Sequence, residues 1–310
     1  MGAIARLDFQ KKNDTEHPLA RRRSLPPSSS PVVKKIVGAD EIPTALAGSW
    51  FAPGADPALI RRFGMKLLGG GPHQSKTMML AELTLLLGSG HGDDVAGAVL
   101  IENVLAKPSL RAREAAAYRL GQLYGVGGQD PLGLTLRRLW MRDAASRPML
   151  ALICALARDP AFRDGAAAVL DAPVGQQVRW PAIAAEFGAA NPGRLGDRMT
   201  KSLSQNAASS WTQAGFLAGA VRKERVRAKA TPVAAAFAAL VATFCGFGGE
   251  RLLTSRWLDL LDQPLESRLG LLRQADGVGL VRVRTAGDVM EIETRQPMAT
   301  ALEVPSLVHC

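Results

Sequence analysis

WPAIAAEFGAANPGRLGDRMTKSLSQNAASSWTQAGFLAGAVRKERVRAK, residues 180–229, reads as two helices joined by a turn and followed by a basic hairpin. Pro181 sits where a first helical turn tolerates it, because the N–H it lacks has no partner inside the helix. Gly188 offers the left-handed residue that ends a helix, and Asn191-Pro192-Gly193 is turn chemistry. A second helix is expected from about 194 to 210, where Leu195, Met199, Leu203 and Ala207 recur every four residues and form one apolar stripe. Opposite that stripe, Arg194, Arg198, Lys201, Ser202, Gln205 and Asn206 fall at offsets 0, 4, 7, 8, 11 and 12. These side-chain types contact phosphate oxygens and read base edges, Arg on guanine and Gln or Asn on adenine.

Gly215 and Gly219 then flank a short apolar piece, and VRKERVRAK follows at 221–229. With Val221 and Val226 interleaved among Arg222, Lys223, Arg225, Arg227 and Lys229, this stretch reads as a strand pair too charged for a core and able to lie along a phosphate backbone. From 194 to 229 there are eight Lys or Arg against two acids, Asp197 and Glu224, a local net charge of +6. A solvated helix beside a solvated hairpin is the ordinary explanation of a charge run. The order of polar face, turn, helix and basic wing favours duplex DNA instead.

Outward from this stretch, 310 residues with 47% hydrophobic and only 5% aromatic side chains point to a mainly α protein. The expected architecture is two helical domains, winged-helix-turn-helix-like, with short β-hairpin wings. Residues 1–64, rich in Pro, Ser, Arg and Lys, read as a disordered basic extension; 65–172 as an N-terminal helical domain; 173–294 as the winged-helix-like part; and 295–310 as a tail. A net charge of +10 favours an acidic polymer as partner. No run of eighteen apolar residues offers a membrane span. Cys154, Cys245 and Cys310 are scattered and unpaired by any CxxC spacing, which indicates a reducing, cytoplasmic setting. His17, His73, His91 and His309 are equally dispersed, so neither a metal site nor a cofactor is expected.

Along the chain the period is helical from Lys76 onward, with Ser75 as an expected N-cap and Met79, Leu80, Leu83, Leu86 and Leu87 on one face. Further helices start at Pro108-Ser109, Asp130-Pro131 and Asp159-Pro160. SRPMLALICALA at 146–157, apolar nearly all round, is the expected central helix. After the wing, Thr231-Pro232 opens an alanine-rich helix, two more follow, and GLVRVRTAGDVMEIE alternates as a second hairpin. There Arg282 and Arg284 are offset by Glu291 and Glu293, which suits packing or protein contacts better than DNA.

GGGPHQSKT at 69–77 nearly spells a phosphate-binding loop, but Ser75 stands where the second glycine belongs and no good strand precedes it. No GxSxG, HExxH or comparable set marks an enzyme. SKTMMLAELTLLL at 75–87, IENVLAKPSLRAREAAAYRLGQLY at 101–124 and SLSQNAASSWTQAGFLAG at 202–219 resemble the BrxA family, small helical components of bacterial BREX phage-defence loci, over about 76–293. The resemblance implies a two-part, helical, winged-helix-containing protein that binds double-stranded DNA, alongside other defence proteins and without enzyme activity of its own. It carries Glu82, Glu102, Asn103, Lys107 and Ser109 over as structural landmarks. Two other readings stand beside it: a protein-interaction adaptor in a defence complex, and a nucleotide-dependent enzyme built on the loop at 70–77.

Overall fold

In the computed structural model, which describes residues 50–90, 94–287 and 289–309, the chain is mainly helical, with two short antiparallel hairpins. The first half contributes α1 (Pro57–Phe63), α2 (Leu80–Gly88), α3 (Leu110–Tyr124), α4 (Pro131–Arg142), α5 (Arg147–Arg158), α6 (Pro160–Asp164) and α7 (Ala167–Leu170). Then come α8 (Trp180–Ala190), α9 (Asp197–Gln213) and the strands β1 (Leu217–Ala218) and β2 (Glu224–Arg225). The chain continues through α10 (Pro232–Phe244), α11 (Gly249–Leu253), α12 (Arg256–Asp259), α13 (Leu265–Gly277), β3 (Arg282–Ala286), β4 (Val289–Glu293), α14 (Arg295–Leu302) and α15 (Ser306–His309).

The caps follow from the sequence. Ser109, Asp130, Asp159 and Thr231 each accept the N–H three residues on, satisfying a donor that the first turn leaves orphaned. Helix α5 is the central element expected, with residues 149–157 buried in succession, and it packs on α10, whose alanines allow close approach. Glu82, Asn103, Lys107 and Ser109 form one structural joint. The Asn103 side chain brackets both backbone groups of Lys107, Lys107 Nζ lies 3.0 Å from Glu82, and Ser109 starts α3.

Several expectations need correction. One connected set of buried residues runs from Trp50 to Leu307, on both sides of residue 172, with a small satellite of Ala161, Phe187 and Leu203. Residues 50–64, assigned to the disordered extension, are folded. Phe63 stacks on Phe244 with ring centroids 3.8 Å apart, and the Trp257 indole donates to Trp50 O at 2.8 Å. Each buried aromatic stabilises by about 1.5–3 kcal/mol, enough to hold a short segment that Pro and Gly make look like linker. Residues 1–49 lie outside the described residues. The tail is likewise folded, with Met298, Leu302, Val304 and Leu307 buried. Ser75 is not the N-cap expected: it closes a single 3-10 turn at Pro72–Gln74, and α2 begins only at Leu80, whose N–H is taken by Gln213 of α9. No described helix is long and apolar enough to cross a membrane.

Candidate nucleic-acid interface

The turn between α8 and α9 is assembled from polar side chains. Helix α8 runs past Gly188 to Ala190, and α9 starts at Asp197, three residues later than the apolar spacing indicates, because Gly193 at φ 66° folds 191–194 into a turn. Asn191 organises that turn. Its amide donates to Phe187 O and, at 2.7 Å, to Asp164, while its carbonyl accepts from the Arg194 guanidinium at 2.6 Å. Burial raises the Asp164 carboxyl above its usual range, against the Asn191 bond and the charges of Arg163 and Arg194. Leu203, Ala207, Ala208 and Trp211 anchor α9 inward; Met199, placed by spacing in the same stripe, is 41% exposed.

The polar side of α9 divides into two faces. Outward, Arg198, Lys201 and Gln205 are exposed, as is Arg194 in the preceding turn. Lys201 Nζ lies 5.4 Å from the Trp180 ring centroid, and among the described residues none of the three cations forms an ion pair with a carboxylate, though the Arg194 charge acts on Asp164 across Asn191. The other face is consumed internally. Ser202 Oγ donates to Gln74 O and the Asn206 amide to His73 O. Both were expected on the groove-facing side and both are occupied, because hydroxyl and amide groups suit a backbone carbonyl as well as a base edge.

Beneath them lies a closed polar network. Asp159 Oδ2 sits 2.8 Å from His73 Nδ1, and His73 Nε2 sits 2.9 Å from Ser210 Oγ. This is the atom order of a hydrolytic triad, but all three residues are fully buried, and the serine oxygen already accepts Met78 N–H at 2.8 Å and lies 2.9 Å from Asn206 O. A nucleophile needs an approach and a free lone pair. Here the network serves to pin the segment at 73–80 onto α9. Burial raises the Asp159 carboxyl, but the hydrogen bond and charge interaction with His73, together with the N–H groups of His73 and Phe162, outweigh it and hold the carboxyl below its usual range. Gly71 is required there, since a Cβ would meet that carboxylate at 2.1 Å. The phosphate-loop-like stretch therefore turns one of its backbone N–H groups, that of His73, onto a carboxylate of the same chain.

The hairpin after α9 pairs Leu217 with Arg225 and Ala218 with Glu224, and Gln177, just before α8, bridges Glu224 from the other side. Gly219, at φ 99°, permits the tight loop, where a Cβ would meet Arg222 O at 2.1 Å. At the tip Val221 is 95% exposed and Arg222 is open to solvent. Lys223 is half-buried, donating to Thr212 Oγ1 at 2.8 Å, and burial lowers its pKa. Arg225 contradicts the phosphate role expected of it. It is 2% exposed and bound in bidentate fashion to Asp262 at 2.8 and 3.1 Å, with Nε on Val169 O. The inward position opposite Leu217 makes it a structural lock. Arg227, which donates to Asp262 O, and Lys229 are exposed.

The structure thus brings Gln205, Arg222 and Lys223 to one cleft of about 630 Å³ between α8, α9 and the wing. Sequence reasoning missed two of its lining residues, Arg179 and Trp180, although both stand at the start of a helix whose N-terminus favours anions. Set against protein-family models, curated proteins and solved structures, the chain has no match in any of the three.

Proposed function

We propose that this chain is a non-enzymatic protein that binds double-stranded DNA, with α9 in the major groove and the β1–β2 hairpin as a wing. The observation that carries the reading is a set of exposed cations that form no ion pair with a carboxylate among the described residues: Arg198 and Lys201 along α9, Arg222 at the hairpin tip, and Arg227 and Lys229 after it, with Arg194, whose charge also acts on Asp164, in the turn before α9. The chain order supports it. A strand segment at 177, α8, α9, β1 and β2, with the first segment paired to the last, is the order of a winged helix-turn-helix with α7 as its leading helix. Arg198 and Lys201 hold phosphates or guanine, Gln205 is the groove-reading side chain, and Arg222 follows the backbone. The resemblance to BrxA supports a role as an accessory of a bacterial anti-phage system.

The test is fluorescence anisotropy of a labelled duplex across a salt series. Six phosphate contacts give a slope of log K against log salt near about −5. Arg198→Gln and Arg222→Gln should each weaken binding and flatten the slope by about one. Absence of duplex affinity at low salt, or a slope indifferent to both substitutions, overturns the reading. One observation favours an additional protein-contacting role. The β3–β4 hairpin pairs its own charges, Arg282 with Glu293 at 3.1 Å, and leaves Val289 69% exposed.

A further inference from the structure

Helix α9 has two flanks. Toward one stand Trp180, the hairpin tip and the cleft between them; against the other lies the segment at 73–76, fixed by Ser202 on Gln74 O and Asn206 on His73 O. At 3.6 residues per turn, Ser202 and Asn206 lie roughly 40° and 80° to one side of Arg198, and Lys201 roughly 60° to the other. The 73–76 segment is therefore the counterpart of the wing across the exposed stripe.

Its chemistry matches that position. From 69 to 80 the chain carries Lys76 and no Asp or Glu, and Ser75 and Lys76 are exposed. Past them a cleft of about 580 Å³ leads from Met199 of α9 over Gly70, Gln74 and Ser75 to Tyr118, Arg119 and Gln122 of α3. Tyr118 is 68% exposed. The Arg119 guanidinium donates to Ala115 O of its own helix and meets no carboxylate among the described residues. Exposed Glu114, one turn before Tyr118, marks the edge of this strip.

A major groove about 12 Å wide is nearly filled by a helix of about 10 Å, so the elements on its two flanks each face one sugar-phosphate strand. Resting on the duplex-binding reading above, we infer that Lys76, with Arg119 and Tyr118 beyond it, forms a second phosphate-binding edge for the strand the wing does not reach. The glycine-rich stretch then serves the phosphates of a polymer and not those of a nucleotide: it has turned its His73 N–H inward to Asp159 and keeps its lysine outward.

Anisotropy titrations of a labelled 30-base-pair duplex at several salt concentrations test this with the full chain, Lys76→Gln/Arg119→Gln, and Arg198→Gln, each checked for an unchanged melting curve. The double variant is expected to weaken binding and flatten the salt slope by about two, one unit per phosphate contact removed. If it binds with the affinity and slope of the parent while Arg198→Gln binds more weakly, the second edge is wrong and the helix-and-wing reading stands. If the parent chain shows no duplex affinity, both fall together.

Discussion

Hairpin β1–β2 follows α9 as β3–β4 follows α13, and both carry two arginines, yet the two dispose of their charge in opposite ways. In β3–β4 each arginine has a glutamate directly across the ladder, Arg282 opposite Glu293 and Arg284 opposite Glu291. In β1–β2 the acid, Glu224, faces Ala218, and the arginine that enters the ladder, Arg225, turns inward to Asp262. Arg222, beyond the paired residues, is left uncompensated at the tip. Alternation read along one strand says which residues share a face. Register decides which of their charges survive.

The most damaging way to break this contrast is to unlock the first hairpin. Asp262→Ala leaves the Arg225 guanidinium buried without its bidentate partner, and removing one member of a buried pair costs about 3–5 kcal/mol. Chemical denaturation should show a loss of that size, and Arg225→Met combined with Asp262→Leu should recover most of it, since two apolar groups leave no orphaned charge. Equal losses from the single and double variants would mean that packing, and not the ion pair, holds the wing.

A second break lies under α9. Asp159→Asn removes a buried acceptor set and is expected to cost about 1–3 kcal/mol at neutral pH. Its pH signature follows from the depressed carboxyl pKa. A carboxyl lowered in the folded state adds stability that is fully present above its unfolded value near 3.9 and fades as pH falls through the lower folded value. The stability difference between parent and variant should therefore shrink below about pH 4, as read by urea melts in acid buffers. A difference constant down to pH 2 would show that the Asp159 charge contributes nothing.

The helical framework was legible because its signals are local. Ser109, Asp130, Asp159 and Thr231 each announce a helix start, and α5 and α10 announce burial by composition. Residues 50–63 and 295–309 were illegible because their buried side chains, such as Ile60, Phe63, Met298 and Leu302, are spread over elements of eight residues or fewer, too short for a period to show. The site was half legible. Spacing found the exposed stripe of Arg198, Lys201 and Gln205, but nothing in the sequence states that the segment at 73–76 covers Ser202 and Asn206. Arg225 carried a usable hint, an arginine whose register partner is the buried Leu217, which required the pairing to be known first.

Charge reversal sharpens the comparison between hairpins without unfolding either. Arg222→Glu should weaken duplex binding about tenfold or more at moderate salt, since it replaces an attraction with a repulsion at a strand of phosphates. Arg284→Glu, placing like charges opposite one another beside Glu291, should leave binding unchanged and cost a few tenths of a kcal/mol in stability. Equal effects on affinity would mean that net charge alone attracts DNA and that the wing has no privileged position.

The smallest effect probes the second hairpin itself. Arg282 and Glu293 are 3.1 Å apart with side chains 50% and 36% exposed, and Arg284 and Glu291 are 3.8 Å apart at 64% and 63%. Water and salt screen both pairs, so a double-mutant cycle should return about 0.2–1 kcal/mol for the first and less for the second, each falling with added salt. The ordering matters more than the size, because it follows distance and exposure together. A coupling well above that range, insensitive to salt, requires that the pair be shielded from solvent in solution. The exposed edge carrying Val289 would then be covered by another surface, and the hairpin would belong to an interface rather than to an open, self-neutralised strand pair.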